Sequence, residues 1–314
     1  MITILAGGTG SVKLVRGLAR LEKKKEGSMN VVANVGDNIW LHGLYVCPDI
    51  DTIVYGLAGM LDEERGWGVK GDTFSFLSQM KRSGAPAWFG LGDRDLATHI
   101  LRTEMMRQGK SLTQVTAYFA EKFGVSTTVL PATDNEVETV ILTGAGEMHL
   151  QEFWVKNAGR PEVRGVRYRG IGKARATRQA LAAINNADRI IIAPGNPVSS
   201  IGPTLALKEI RAALAKRRTD VVAVSPIIGN AAVSGPAVKY MDAVGVRASA
   251  AGIAEFYRKV AGSIVIDSRD REAASEIRRS LDMDVHETNI TMQGRKDEVR
   301  LGRYLLLQLR KSMN

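Results

Sequence analysis

The chain has 314 residues, 45% of them hydrophobic and 24% charged, a composition expected of a globular protein with one large domain or two modest ones. Its single cysteine excludes a disulfide framework and a cysteine-rich metal centre, no apolar run reaches membrane-helix length and no signal segment precedes the first strand, so the cytoplasm is the expected location. The formal charge of +10 is scattered over helix faces such as Lys216–Arg218 and Arg278–Arg279, with no basic tail and no interleaved aromatics, which favours an anionic small ligand over nucleic acid.

Ile2–Leu5 is a β-prone run ending in Gly7-Gly8-Thr9-Gly10, after which Val12, Leu14, Val15, Leu18 and Leu21 recur at helical spacing. Asn30–Val35 reads as a second strand closing on Gly36-Asp37-Asn38, so the chain opens with a βαβ unit of a parallel sheet. Residues 60–170 read as an insertion. Its helices are predicted over Asp72–Arg82, Asp95–Arg107 and Ser111–Phe123. Its strands are predicted at Thr127–Leu130, Glu138–Thr143 and Met148–Val155, the last two joined as a hairpin through Gly144-Ala145-Gly146-Glu147. Helix Lys173–Asn186 returns the chain to the core. Arg189–Ala193, Asp220–Ser225 and Ser263–Asp267 are continuously apolar, the pattern of strands covered on both faces. Arg295–Lys311 reads as a closing helix with Leu301, Leu305 and Leu309 on one face. The predicted architecture is α/β: a Rossmann-like parallel sheet with helices on both faces from residues 1–59 and 171–314, plus an inserted helical and β-hairpin subdomain over 60–170.

The glycines between the first strand and its helix let the backbone approach a ligand, and the helix N-terminus offers free N–H groups to an anion. Lys13 stands where a dinucleotide fingerprint has its third glycine, and no Gly-Lys-Ser/Thr follows, so phosphate or diphosphate without NAD is expected. Past the second strand lie Asn34, Asp37 and Asn38, then Asp49 and Asp51, two apart and on one side if the backbone is extended. Close carboxylates suit a hard cation such as Mg²⁺, or one metal ligand beside a general base. Gly90-Leu91-Gly92-Asp93-Arg94-Asp95, with His99 four residues on, reads either as a helix cap with an i,i+4 partner or as a substrate grip through Arg94. Loops Asn196–Pro203 and Ser225–Asn230, dense in side-chain donors, end later strands at the same sheet edge. Cys47 reads as core, and the four histidines are too scattered for zinc.

The stretches ITILAGGTG, NVGDNIWLHGLYVCPDIDT, RGWGVKGDTF, GLGDRDLATH, LPATDNEVET, HLQEFWV, APGNPVSSIGP and SPIIGN occur in that order from residue 2 to about 236. With them the chain resembles the 2-phospho-L-lactate transferase family of coenzyme F420 biosynthesis. The resemblance implies a transferase that moves a phospholactyl or phosphoenolpyruvyl group from a guanosine-diphosphate-linked donor to the deazaflavin Fo, releasing GMP, with Mg²⁺ as cofactor. Carried over by position, Asp51 would contact Fo and take its hydroxyl proton or hold the metal, and Asp93 and Arg94 would also sit near Fo. Gly8, Thr9, Gly10 and Lys13 would face phosphates, Asn196, Ser199 and Asn230 the nucleotide, and Asp37, Asp49 and Asp51 the metal. Asn38 stands where some members carry a second aspartate. A related group of regulatory proteins shares the opening loop and binds nucleotide-sugars without chemistry; the GLGDRD and CPDIDT stretches favour the enzyme. Neither nucleic acid nor membrane is an expected partner, and the exposed helix faces of the insertion point to a homodimer.

Overall fold

β1 (Ile2–Ala6) runs directly into α1 (Gly8–Glu22), and β2 (Met29–Ala33) returns beside β1 in parallel register. The computed structural model describes residues 1–22, 29–229, 231–232 and 237–311; Asn230 lies outside them. A hairpin follows, β3 (Ile39–Leu41) and β4 (Leu44–Val46), and then α2 (Pro48–Ala58), where Pro48 presets the backbone of the first turn. The middle holds α3 (Ser75–Arg82), α4 (Asp93–Arg107) and α5 (Leu112–Lys122), the last opened by a capping box between Ser111 and Gln114. β5 (Thr128–Pro131), β6 (Glu138–Thr143), β7 (Gly146–His149), a π-helical turn at Glu152–Lys156 and β8 (Gly165–Arg169) come next. The second half runs through α6 (Arg178–Asn185), β9 (Arg189–Ile192), α7 (Gly202–Ala206), α8 (Lys208–Lys216), β10 (Val221–Val224), the short ribbon β11 (Ile227–Ile228) and β12 (Ala231–Ala232), then α9 (Ala237–Ala243) and α10 (Ala250–Tyr257). β13 (Ser263–Asp267), α11 (Arg271–Ser280), β14 (Asp284–Thr288) and α12 (Arg295–Lys311) complete it.

Seven strands form one sheet in the order β14-β13-β10-β9-β1-β2-β5, every neighbouring pair parallel. All residues of β2, β10 and β13 are buried. Since successive side chains point to opposite faces, both faces of the sheet must be covered. From β1 the order steps outward through β2 and β5; from β9 it steps the other way. The direction of winding therefore reverses between β1 and β9, which opens a crevice at the carboxyl ends of those two strands. α12 packs along α1, with Gly17 and Gly302 at the crossing and Leu301 and Leu305 fully buried beneath it.

Three expectations change. β5 belongs to the main sheet, paired with β2 from Asn30 to Ala33, so residues 60–170 are not a single insertion. Within that stretch, the helical part before β5 and the separate antiparallel sheet β7-β6-β8 stand outside the core sheet. The strand expected over Met148–Val155 stops at His149 and gives way to the π-helical turn; β8 supplies the third strand instead. Asp49 and Asp51 lie in the first turn of α2 rather than in extended chain. At about 100° per residue, helical geometry sends them to different sides. Among the described residues, no helix is long and apolar enough to cross a membrane.

Candidate active site

A cavity of about 460 Å³ occupies the crevice between β1 and β9, a volume that suits a small-molecule substrate. Gly8, Thr9 and Gly10 after β1, Asp37 after β2, and Asn196, Ser199 and Ser200 after β9 line its base. The first turns of α2 bring Asp49, Asp51, Thr52 and Tyr55 to the lining. Arg65, Trp67, Phe89 and Trp154 bring a guanidinium and three aromatic rings to the lining.

The loops after β1 and β9 touch backbone to backbone. A Cβ on Gly10 would stand 2.7 Å from the Pro194 carbonyl, and Gly8 sits at φ +73°, where only glycine is unstrained. The Gly8 N–H donates to Asp49 Oδ1 at 2.8 Å, so one of the free donors of α1 already binds a carboxylate of the protein. Asn34 Nδ2 donates to Asp37 Oδ1 at 3.0 Å, to Asp49 Oδ2 at 2.8 Å and to the Ser199 carbonyl at 3.2 Å. One amide thus gathers two buried carboxylates and the β9 loop. Burial, and then repulsion from Asp49, hold the Asp37 carboxyl well above the ordinary carboxylate range; its bond to Asn34 opposes them weakly. Burial pushes Asp49 up to about 6 against the bonds from Asn34 and Gly8. Among the described residues, no cation enters either balance. Two close carboxylates with neutral partners only are a donor set that fits a hard, oxygen-seeking cation.

Asp51 lives in the opposite environment. Arg102, 2% exposed, grips it with both terminal guanidinium nitrogens, Nη1 at 3.0 Å, and also donates to the Tyr45 carbonyl at 3.3 Å. Arg102 comes from α4, as do Asp95 and His99, spaced so that all three share one inward face. His99 Nδ1 lies 3.2 Å from Arg102 Nη1 and its Nε2 lies 3.4 Å from Asp95 Oδ1. Tyr55 donates to Asp95 Oδ1 at 2.8 Å. Asp51, Asp95 and His99 each offer a ligand atom within 4.8 Å of the others, but the guanidinium already supplies the positive charge there. A metal ion in this group would face a like charge, which makes Asp37 and Asp49 the better-suited pair.

Residues 2–300 match the protein-family model described as 2-phospho-L-lactate transferase CofD. The chain belongs to this family. It is 43% identical over 268 residues to the 2-phospho-L-lactate transferase of Methanosarcina mazei, covering 85% of this chain and 87% of that one. Over 310 residues it is 40% identical to the 2-phospho-L-lactate transferase of Methanocaldococcus jannaschii, covering 98% and 97%. The solved structure of BH3568 from Bacillus halodurans, described as a member of the UPF0052 family, superposes with a TM-score of 0.62 at 16% identity over 97% of this chain and 98% of that one, which shows the shared fold. Its relatives are transferases, and the chain is an enzyme of that class.

Of the residues singled out in sequence as this family's site, Gly8, Thr9, Gly10, Asp37, Asp49, Asp51, Asn196 and Ser199 converge on the cavity. Three do not line it. Arg94 follows Asp93 in the first turn of α4 and is exposed; the turn of the helix that aims Asp95 inward aims Arg94 at a separate depression beside Lys70, Tyr118 and Lys122. Asp93 accepts the Ser75 and Phe76 N–H groups at 3.1 and 3.0 Å and so fastens the start of α3. Lys13 Nζ donates to the Met292 carbonyl at 3.1 Å and ties α1 to the approach to α12. The cavity's guanidinium is instead Arg65, stacked over the Trp67 and Phe74 rings at 5.3 and 4.9 Å. Arg65, Trp67, Phe89, Trp154 and Arg102 carried no marker in sequence beyond their motifs, because their convergence is a product of packing.

Proposed function

We propose that the protein transfers a phospholactyl or phosphoenolpyruvyl group from a guanosine-diphosphate-linked donor to the hydroxyl of the deazaflavin Fo, releasing GMP. The observation that carries this reading is the mixed lining of the cavity at the winding reversal. Part of that lining is helix N–H groups, an Asn/Ser loop and two uncompensated carboxylates, a surface for a metal-bound diphosphate and nucleotide. Trp67, Phe89 and Trp154 add flat apolar surfaces for a fused aromatic ring.

In the proposed reaction the acceptor hydroxyl oxygen attacks the phosphorus that bears the lactyl group. The bond from that phosphorus to the bridging oxygen breaks, the electron pair leaves with GMP, and the hydroxyl proton passes to a carboxylate. Asp37 and Asp49 would hold Mg²⁺, which would supply positive charge to neutralise the diphosphate oxygens. Asp51, a lining residue fixed in place by Arg102, receives the acceptor hydroxyl. A positioned carboxylate in that role accelerates such a step by roughly 10²–10⁴-fold. Arg65, paired with Asp62 at 2.8 Å, lines the cavity beside Trp67.

The test is direct. Incubation of the protein with Fo, Mg²⁺ and the guanylyl donor should yield GMP and a deazaflavin of correspondingly greater mass. Tight Fo binding without turnover would remove the mechanism and favour a binding protein; no Fo binding would remove the acceptor assignment.

A further inference from the structure

Two tyrosine hydroxyls are buried with no hydrogen-bond partner among the described residues, those of Tyr240 and Tyr257. Their rings are 1% and 0% exposed. An orphaned buried hydroxyl is costly and calls for an explanation. Tyr257 lies away from the cavity, whereas Tyr240, on α9, lines it alongside Asp37 and Ser199. Phe153 in the π-helical turn packs against the Tyr240 ring, with centroids 5.7 Å apart, and leaves the ring little freedom to turn elsewhere. The same turn carries Trp154 into the cavity, so one irregular element fixes both side chains.

We infer that the Tyr240 hydroxyl is a substrate-binding donor, directed at an oxygen of the phosphoryl group that is transferred. The inference rests on the reading of the cavity as a guanosine-diphosphate donor site. The chemistry at the base of the cavity leaves few other tasks for this hydroxyl. It shares the cavity lining with Asp37, which acts on it electrostatically; burial first and Asp37 second hold its proton firmly, so it acts as a donor and not as a base. A phosphate oxygen beside a cation at Asp37 and Asp49 is an acceptor of matching charge. Donors to charged oxygens are stronger than donors to neutral ones.

Tyr240→Phe removes the oxygen and keeps the ring, and Tyr257→Phe serves as the matched control. GDP and GMP binding to the full chain in Mg²⁺ buffer is measured by calorimetry, with melting temperature read in parallel. Tyr240→Phe should weaken GDP binding roughly tenfold while leaving GMP binding within twofold of wild type, because GMP lacks the phosphoryl group concerned. Its melting temperature should not fall, since the hydroxyl satisfies no partner in the folded protein. Tyr257→Phe should alter neither ligand's affinity. Unchanged GDP affinity in Tyr240→Phe, equal loss for GDP and GMP, or a lowered melting temperature would each overturn the inference. Absence of GDP binding by the wild-type chain would overturn the donor-site reading itself, and this inference with it.

Discussion

At the scale of single residues, the site rests on carboxylates placed in opposite environments. Asp37 and Asp49 share one asparagine and have no counter-charge among the described residues, whereas Asp51 is locked to Arg102. Removing one member of the locked pair strands the other charge in the core, so Arg102→Met or Asp51→Asn should each cost about 3–5 kcal/mol. Replacing both, with Arg102→Met and Asp51→Leu, should recover most of that loss. Urea unfolding of the singles and the double settles it, and simple additivity would mean the pair is not coupled. The uncompensated pair predicts the reverse sign. Asp37→Asn should raise the melting temperature in Mg²⁺-free buffer, because it relieves repulsion between buried carboxylates. Mg²⁺ should raise the melting temperature of the wild type and leave the variant unmoved. Sequence alone brought out all three aspartates but treated Asp49 and Asp51 as a matched pair. Their divergence comes from Pro48 starting a helix there, which a two-residue spacing does not reveal.

Among the elements, α1 carries two constraints. Its first residue, Gly8, is at φ +73°, and a Cβ there would stand 2.8 Å from Ser200 Oγ. Its midpoint, Gly17, faces α12 so closely that a Cβ would collide with the Glu298 carbonyl. In an exposed helix, glycine to alanine gains about 1 kcal/mol. Here Gly17→Ala should instead lose about 1–3 kcal/mol by overpacking the crossing, readable as a lower urea midpoint; a gain would mean that the helices separate at no cost. The same crossing buries the Arg16–Glu298 ion pair. The closing helix was legible from its leucine spacing. Its partner was not, because two amphipathic stripes hundreds of residues apart do not name each other in sequence.

For the molecule as a whole, stability should respond to pH through His149. Its Nε2 donates to the Asn38 carbonyl at 3.0 Å and its Nδ1 accepts the Gln151 N–H at 3.0 Å, so both nitrogens are satisfied in the neutral ring. Burial holds its pKa below the ordinary value, with the bond to Asn38 in partial opposition. A depressed folded-state pKa gives stability that is present above the unfolded value, about 6.5, and lost as pH falls below it. Asp37 and Asp49, raised in the folded state, act in the opposite direction over an overlapping range. That opposition is common to wild type and His149→Gln and cancels in their difference. The wild type should therefore lose stability relative to His149→Gln between about pH 7 and 5, measured as the gap between their melting temperatures. A constant gap would show that His149 titrates alike in both states.

The sequence by itself determined the α/β class, the parallel strands with their continuous apolar runs, the glycine turn into α1 and the family. Each of these is written in local order: periodicity, turn chemistry and motifs that follow one another along the chain. The tertiary structure alone decided that β5 joins the main sheet, that Arg94 and Lys13 miss the cavity while Arg65 and Tyr240 reach it, and that Arg102 holds Asp51. These are questions of which side of a helix a residue occupies and what stands across from it. A helix turns about 100° per residue, so adjacent residues of one motif, Arg94 and Asp95, face different surroundings. Local order marks a motif as special, but packing assigns each of its side chains a partner.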